Sequence, residues 1–172
     1  MLGCGTSDVP RLLAPHCAHV TACDISPTAI RESRAACDAG NVTFVEADLR
    51  ALAYGVGDFD LLIDKGTLAA LQERSVQDAS AGYRCVWEIL GPEGLLITFS
   101  VGYPEPELLM SIANRGCNFE TTACYDIGGD AMAFAARRQR MQPAGMDISE
   151  PWYRGKCVLV GREQESWSKG NR

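Results

Sequence analysis

The chain has 172 residues, 47% apolar and 22% charged, with a net charge of −6. That is the length of one domain with material for a single core. The acidic balance argues against a nucleic-acid partner, and the longest apolar run, "GLLITFSVG", is too short to cross a bilayer.

The chain begins "MLGCGTSDVP", two apolar residues and a glycine pair. Such turns normally follow a buried strand, of which only Met1 and Leu2 are present. "TSDVPRLLAP" predicts a short helix capped by Thr6 or Ser7, with Val9, Leu12 and Leu13 on one face and Pro15 ending it. "HVTACD" reads as a buried strand closing on an acid. "SPTAIRESRAACDAG" is a helix with Ser26 as cap, Pro27 at its first position and Gly40 as its stop. "VTFVEAD" and "FDLLID" follow as strands, the latter apolar enough to be covered on both faces. Val76, Ala79, Tyr83, Val86 and Leu90 predict a helix running to Gly91-Pro92, and "GLLITFSVG" a further strand. Leu109, Ile112 and Ala113 mark another helix, ending at Gly116. "CNFETTACYDI" and "KCVLVGRE" read as strands. Between these two, "AMAFAARR" suits strand or helix, and the remainder reads as loop. Strands alternating with helices predict an α/β, doubly wound, mostly parallel sheet with an antiparallel C-terminal strand pair. Neither a repeat nor a linker divides residues 1–172, so a single domain is expected.

The eight cysteines, none in a Cys-x-x-Cys pair, lie singly along apolar segments. They read as small core side chains in a reducing compartment, and a cytoplasmic location is expected. His16, Cys17, His19 and Cys23 match no zinc spacing, so no metal is expected. Residues 1–128 carry 8 basic and 17 acidic side chains, and residues 129–172 carry 8 and 5. The basic stretch "ARRQRMQ" reads first as a solvated face.

The acids carry the chemistry. Asp24 lies 19 residues after Gly5, at the end of the next strand. In a strand–turn–helix–strand unit this spacing puts glycines under a ligand and a carboxylate over its ribose hydroxyls. The helix start at residues 6–8 suits a carboxylate or phosphate. A dinucleotide and S-adenosyl-L-methionine (SAM) both fit such a unit. The dinucleotide fingerprint needs a third glycine where Asp8 stands, and an acid opposes a pyrophosphate; SAM has no phosphate. Asp48 ends the next strand, suited to an adenine amino group, and Asp64 ends the one after. Three acids at successive strand ends predict one crevice, although each alone would serve as a turn or helix cap.

"LGCGTS … ACDIS … EADLRAL … FDLLIDKGTLAAL … GPEGLLITFS" resembles the class I, seven-strand SAM-dependent methyltransferases over essentially the whole chain. "IDKGTL" is similar to a group of lysine methyltransferases that includes enzymes acting on eukaryotic elongation factor 1A. The resemblance implies that Gly3, Cys4 and Gly5 line the methionine end of SAM. It implies that Asp24 and Ile25 hold and cover the ribose and adenine, and that Asp48 and Leu49 contact the adenine. Asp64 and Lys65 would border the methyl-transfer site. An acid commonly follows "KGTL" in that group, whereas Ala69 stands here. The family's first strand and aromatic N-terminal lid are also missing, so an N-terminally incomplete domain is expected.

Methyl transfer needs in-line alignment and exclusion of water. A lysine acceptor must first lose its proton, against an ordinary pKa of about 10.4. Asp64 would orient the amine; Lys65 touches SAM or pairs with Asp64 or a neighbouring acid. Trp152 and Tyr153 line a substrate entrance or pack in the core. Transfer to a protein lysine, with a translation elongation factor among the candidate partners, is the first expectation. A small-molecule methyltransferase and a catalytically weak binding module are the alternatives.

Overall fold

The computed structural model of the chain describes residues 1–52, 58–101, 117, 119–128 and 131–138. Their elements in chain order are α1 (Val9–Leu13), β1 (Val20–Asp24), α2 (Pro27–Ala36), β2 (Val42–Glu46), β3 (Phe59–Lys65), α3 (Thr67–Arg74), α4 (Val76–Ile89), β4 (Leu90–Val101), β5 (Phe119–Gly128) and β6 (Ala131–Arg138). The expected helix around Leu109, Ile112 and Ala113, the strand "KCVLVGRE", Trp152 and Tyr153 lie outside the described residues.

Local signals account for the starts of α2 and α4. Ser26 accepts from the Ala29 amide at the head of α2, and Ser75 accepts from the Asp78 amide at the head of α4. Residues Ala79, Tyr83, Val86 and Ile89 of α4 are buried at helical spacing, while Arg84 and Glu88 face out. α1 departs from its predicted face. Leu12 is 61% exposed and Pro10 and Ala14 are buried instead. With proline in its first turn α1 starts only at Val9, which turns the inward stripe onto Pro10 and Ala14. α2 ends at Ala36, before the predicted Gly40 stop.

β1 runs parallel to β2, from Val20 opposite Val42 to Asp24 opposite Glu46. β3 runs parallel to β4. Leu2 bridges the two pairs, bonded in parallel opposite both Cys23 and Asp64. Its amide donates to the Ile63 carbonyl at 2.8 Å, and the Cys23 amide donates to the Met1 carbonyl at 3.0 Å. The sheet order is therefore β2–β1–Leu2–β3–β4–β6–β5, with β6 antiparallel to β4 and β5. The doubly wound, mostly parallel sheet expected from the sequence is present.

Among the described residues, the antiparallel pairing with β5 is made by "AMAFAARR", the segment that suited strand or helix. Ala133, Phe134, Ala135 and Ala136 are all buried. A strand between two others and covered on both faces takes a continuous apolar run, so its position overrides the helical leaning of alanine. β3 is less covered than predicted. Leu62 and Asp64 are buried, but Leu61 is 37% exposed and Ile63 half-buried among the described residues.

Apolar clusters lie on the two faces of the sheet. Leu62, Leu96, Phe134 and Ala136 pack with Leu68 of α3 and with Tyr83, Val86 and Ile89 of α4. Met1, Cys4, Ala22 and Phe44 pack with Ile30 of α2. Cys4, Cys23, Cys85 and Cys117 are buried free thiols, as expected of small core side chains. Among the described residues, His16, Cys17, His19 and Cys23 form no metal-binding group.

Candidate active site

The turn at residues 3–5 is held from three directions. Gly3 and Gly5 have φ of +56° and +51°, in the left-handed region that favours glycine. The Gly5 amide donates to Asp24 Oδ2 at 2.7 Å, and the Ser26 amide to Asp24 Oδ1 at 2.8 Å. The Ser33 hydroxyl of α2 donates to the Gly5 carbonyl at 2.7 Å. The Cys4 amide donates to the Cys23 carbonyl, which ties the turn to β1. No atom lies within 4 Å of the place a Cβ on Gly5 would occupy, so the turn's outer side is open to a ligand.

Gly3 is enclosed instead. A Cβ there would lie 1.8 Å from Thr67 Oγ1. Thr67 donates its hydroxyl to the Leu2 carbonyl at 3.2 Å. Its amide and that of Leu68 donate to Asp64 Oδ1 at 2.9 and 3.2 Å. Asp64 thus caps α3 from the end of β3, across Gly66, whose φ is +86°.

Asp64 itself is fully buried, and among the described residues its Oδ2 has no hydrogen-bond partner. Burial pushes its carboxyl up to about 6; the amides of Leu68 and Thr67, the Thr67 side chain and the charge of Lys65 oppose the rise without cancelling it. Lys65 is exposed. Successive strand residues point to opposite faces, so the alternative pairing of Lys65 with Asp64 is not made.

The three acids do not share one environment. Asp24 and the segment after Asp64 both meet the glycine turn. Asp48 turns away to the Arg50 guanidinium, which also reaches Asp78 of α4 at 2.8 Å. That pairing holds the Asp48 carboxyl below its ordinary range, through its bonds to Arg50 above all. The side chain of Leu49 is buried in the core cluster with residues of α4. Ile25 is 62% exposed beside Asp24. Beside Arg50, an open groove of about 640 Å³ lies between the 3-10 turn at Leu49–Ala51 and α4; Val76, Ser80 and Arg84 line it. The glycine turn and Asp24 do not border that groove.

Ser33 and Thr67 were not read as site residues from the sequence. Ser33 follows Ile30 by three positions, on the inward stripe of α2, and a hydroxyl on such a stripe is the signal that could have marked it. Thr67 stood in the "DKGTL" segment with no contact to suggest its role. SAM fits the residues present. Each Asp24 oxygen accepts one backbone amide and keeps acceptor capacity for ribose hydroxyls, Gly5 gives an open backbone surface, and Ile25 offers an apolar face to a base.

Residues 1–94 match the family described as "Methyltransferase domain". The chain is 30% identical over 145 residues to the human mitochondrial citrate synthase-lysine N-methyltransferase, covering 74% of this chain and 60% of that protein. The Pongo abelii counterpart is 28% identical over the same shares. The chain thus spans about 60% of the length of these curated relatives. Among solved structures, N-methyltransferase NodS from Bradyrhizobium japonicum in complex with S-adenosyl-L-homocysteine superposes with a TM-score of 0.67 at 18% identity, over 81% of this chain and 76% of that one. The match over more than half of the chain and the shared sheet agree: the chain belongs to the methyltransferase domain family, with a Rossmann-like fold.

Proposed function

We propose that this chain transfers a methyl group from SAM to a lysine amine of a protein, and that residues 1–172 form one domain. The observation that carries the reading is the open glycine turn pinned by Asp24 and backed by "DKGT", in a chain related to enzymes named for lysine methylation. Gly3, Cys4 and Gly5 would hold the methionine end through their backbone, and Asp24 the ribose. Ile25 would cover the adenine. Leu49 would take part through its backbone, and Asp48 would contact the adenine by sharing a carboxylate already bonded to Arg50. SAM supplies the electrophilic sulfonium methyl. Lys65, exposed at the end of β3, and Asp64 behind it would border the acceptor, whose amine must arrive unprotonated.

The relatives' names point to citrate synthase as the first acceptor to test, ahead of the elongation factor suggested by "IDKGTL". Buried free thiols fit a reducing compartment, cytoplasmic or mitochondrial. Among the described residues no helix is long and apolar enough to cross a membrane. The test is transfer of tritiated methyl from SAM to purified citrate synthase, to elongation factor 1A and to whole lysate, followed by gel separation. Label on a discrete protein band, removed when lysines are blocked, is the expected result. Label confined to small molecules would replace the reading with a small-molecule methyltransferase.

A further inference from the structure

We infer that Thr67 is a positioning residue that latches the glycine turn to the start of α3, so that "DKGT" shapes the cofactor turn from behind. This rests on the proposal that the turn receives SAM.

The contacts form one unit. Asp64 Oδ1 accepts the Thr67 and Leu68 amides, which fixes the first turn of α3 at the end of β3. Gly66 in the left-handed region makes that approach possible. The side chain of Thr67 then lies against Gly3, where no Cβ fits, and its hydroxyl bonds the Leu2 carbonyl. Residues 2 and 67 are far apart in sequence, so this contact joins the turn to α3 independently of the Asp24 and Ser33 bonds that join it to β1 and α2.

The division of labour has a chemical basis. Asp24 fixes one side of the turn through the Gly5 amide and Ser33 through the Gly5 carbonyl. Neither touches Gly3, which lies between the backbone bonds of Leu2 and Cys4 and has the Thr67 side chain packed against it. A β-branched threonine is stiff at χ1 and presents a methyl for packing and a hydroxyl for the carbonyl at once. Serine keeps the hydroxyl; valine keeps the shape and loses the hydrogen bond.

Thr67→Val and Thr67→Ser are compared with the wild-type chain by calorimetry with S-adenosyl-L-homocysteine and by amide hydrogen exchange without ligand. Removing one hydroxyl–carbonyl bond is expected to weaken binding about 5- to 10-fold in Thr67→Val and to speed exchange at Leu2, Cys4 and Gly5 by a similar factor. Exchange within the β1–β2 ladder should stay unchanged, and Thr67→Ser should restore both readouts. Thr67→Ala replaces the valine variant if valine does not fold. Wild-type exchange and wild-type affinity in the folded hydroxyl-less variant would overturn the latch. Failure of the wild-type chain itself to bind would overturn the cofactor reading, and the ligand-free exchange comparison would then decide the latch by itself.

Discussion

Asp64 meets two opposed demands. Its Oδ1 caps α3, whereas its Oδ2, in a fully buried setting, has no partner among the described residues. Burial raises the folded pKa from the ordinary 3.8 to about 6, so between these values the folded state binds more protons than the unfolded chain. The contribution of Asp64 to stability is then fully present below about pH 4, is lost as pH rises to about 6 and levels off above. A displacement of this size is worth roughly 3 kcal/mol. Urea unfolding of wild type and Asp64→Asn from pH 4 to 7 checks the sign. The difference between the two should shrink or invert across that window, because Asn does not titrate and still caps α3; parallel profiles would show Asp64 to be unperturbed. Asp24 acts in the opposite setting, half-buried and bonded to two backbone amides. Asp24→Ala should weaken S-adenosyl-L-homocysteine binding by about 1–3 kcal/mol through lost charge-assisted bonds. Unchanged affinity by calorimetry would show the ribose assignment to be wrong. The position of Asp24 was legible in the sequence, because strand-end acids recur at a fixed distance after glycine turns. The pairing of Asp48 with Arg50 was not, since it also needs Asp78 of α4, 28 residues beyond Arg50.

At the scale of elements, the smallest one has the largest consequence. Among the described residues Met1 and Leu2 lie between β1 and β3, and Leu2 is 2% exposed and bonded toward both. Leu2→Ala removes a buried side chain where two halves of the sheet meet, and should cost about 2–5 kcal/mol. The check is thermal unfolding followed by circular dichroism, with a second probe at Trp87 near β6, where Arg138 lies 3.6 Å from the ring centroid. Coincident, lowered transitions are expected; an unchanged midpoint would show that the two halves do not depend on Leu2. α2 and α4 were legible because serine caps and helical spacing of apolar residues are local signals. α3 was not foreseen: its start is set by Asp64 and Thr67 meeting Leu2 and Gly3, and no local pattern announces that. β6 was undecided for a related reason. Alanine serves both helix and strand, and only its place between β4 and β5 selects one.

For the whole molecule, the order of apolar runs, glycines and strand-end acids determined a doubly wound α/β sheet and a glycine turn held by Asp24. These follow from periodicity and from spacing along the chain, which folding preserves. The tertiary structure alone decided that β6 lies antiparallel between β4 and β5, that Asp48 is held by Arg50 and that Leu49 is core. It alone decided that Asp64 lies beneath α3 and that Thr67 backs Gly3. Each of these depends on groups distant in sequence coming into contact, where burial, hydrogen-bond satisfaction and steric fit choose among states that local propensity leaves nearly equal.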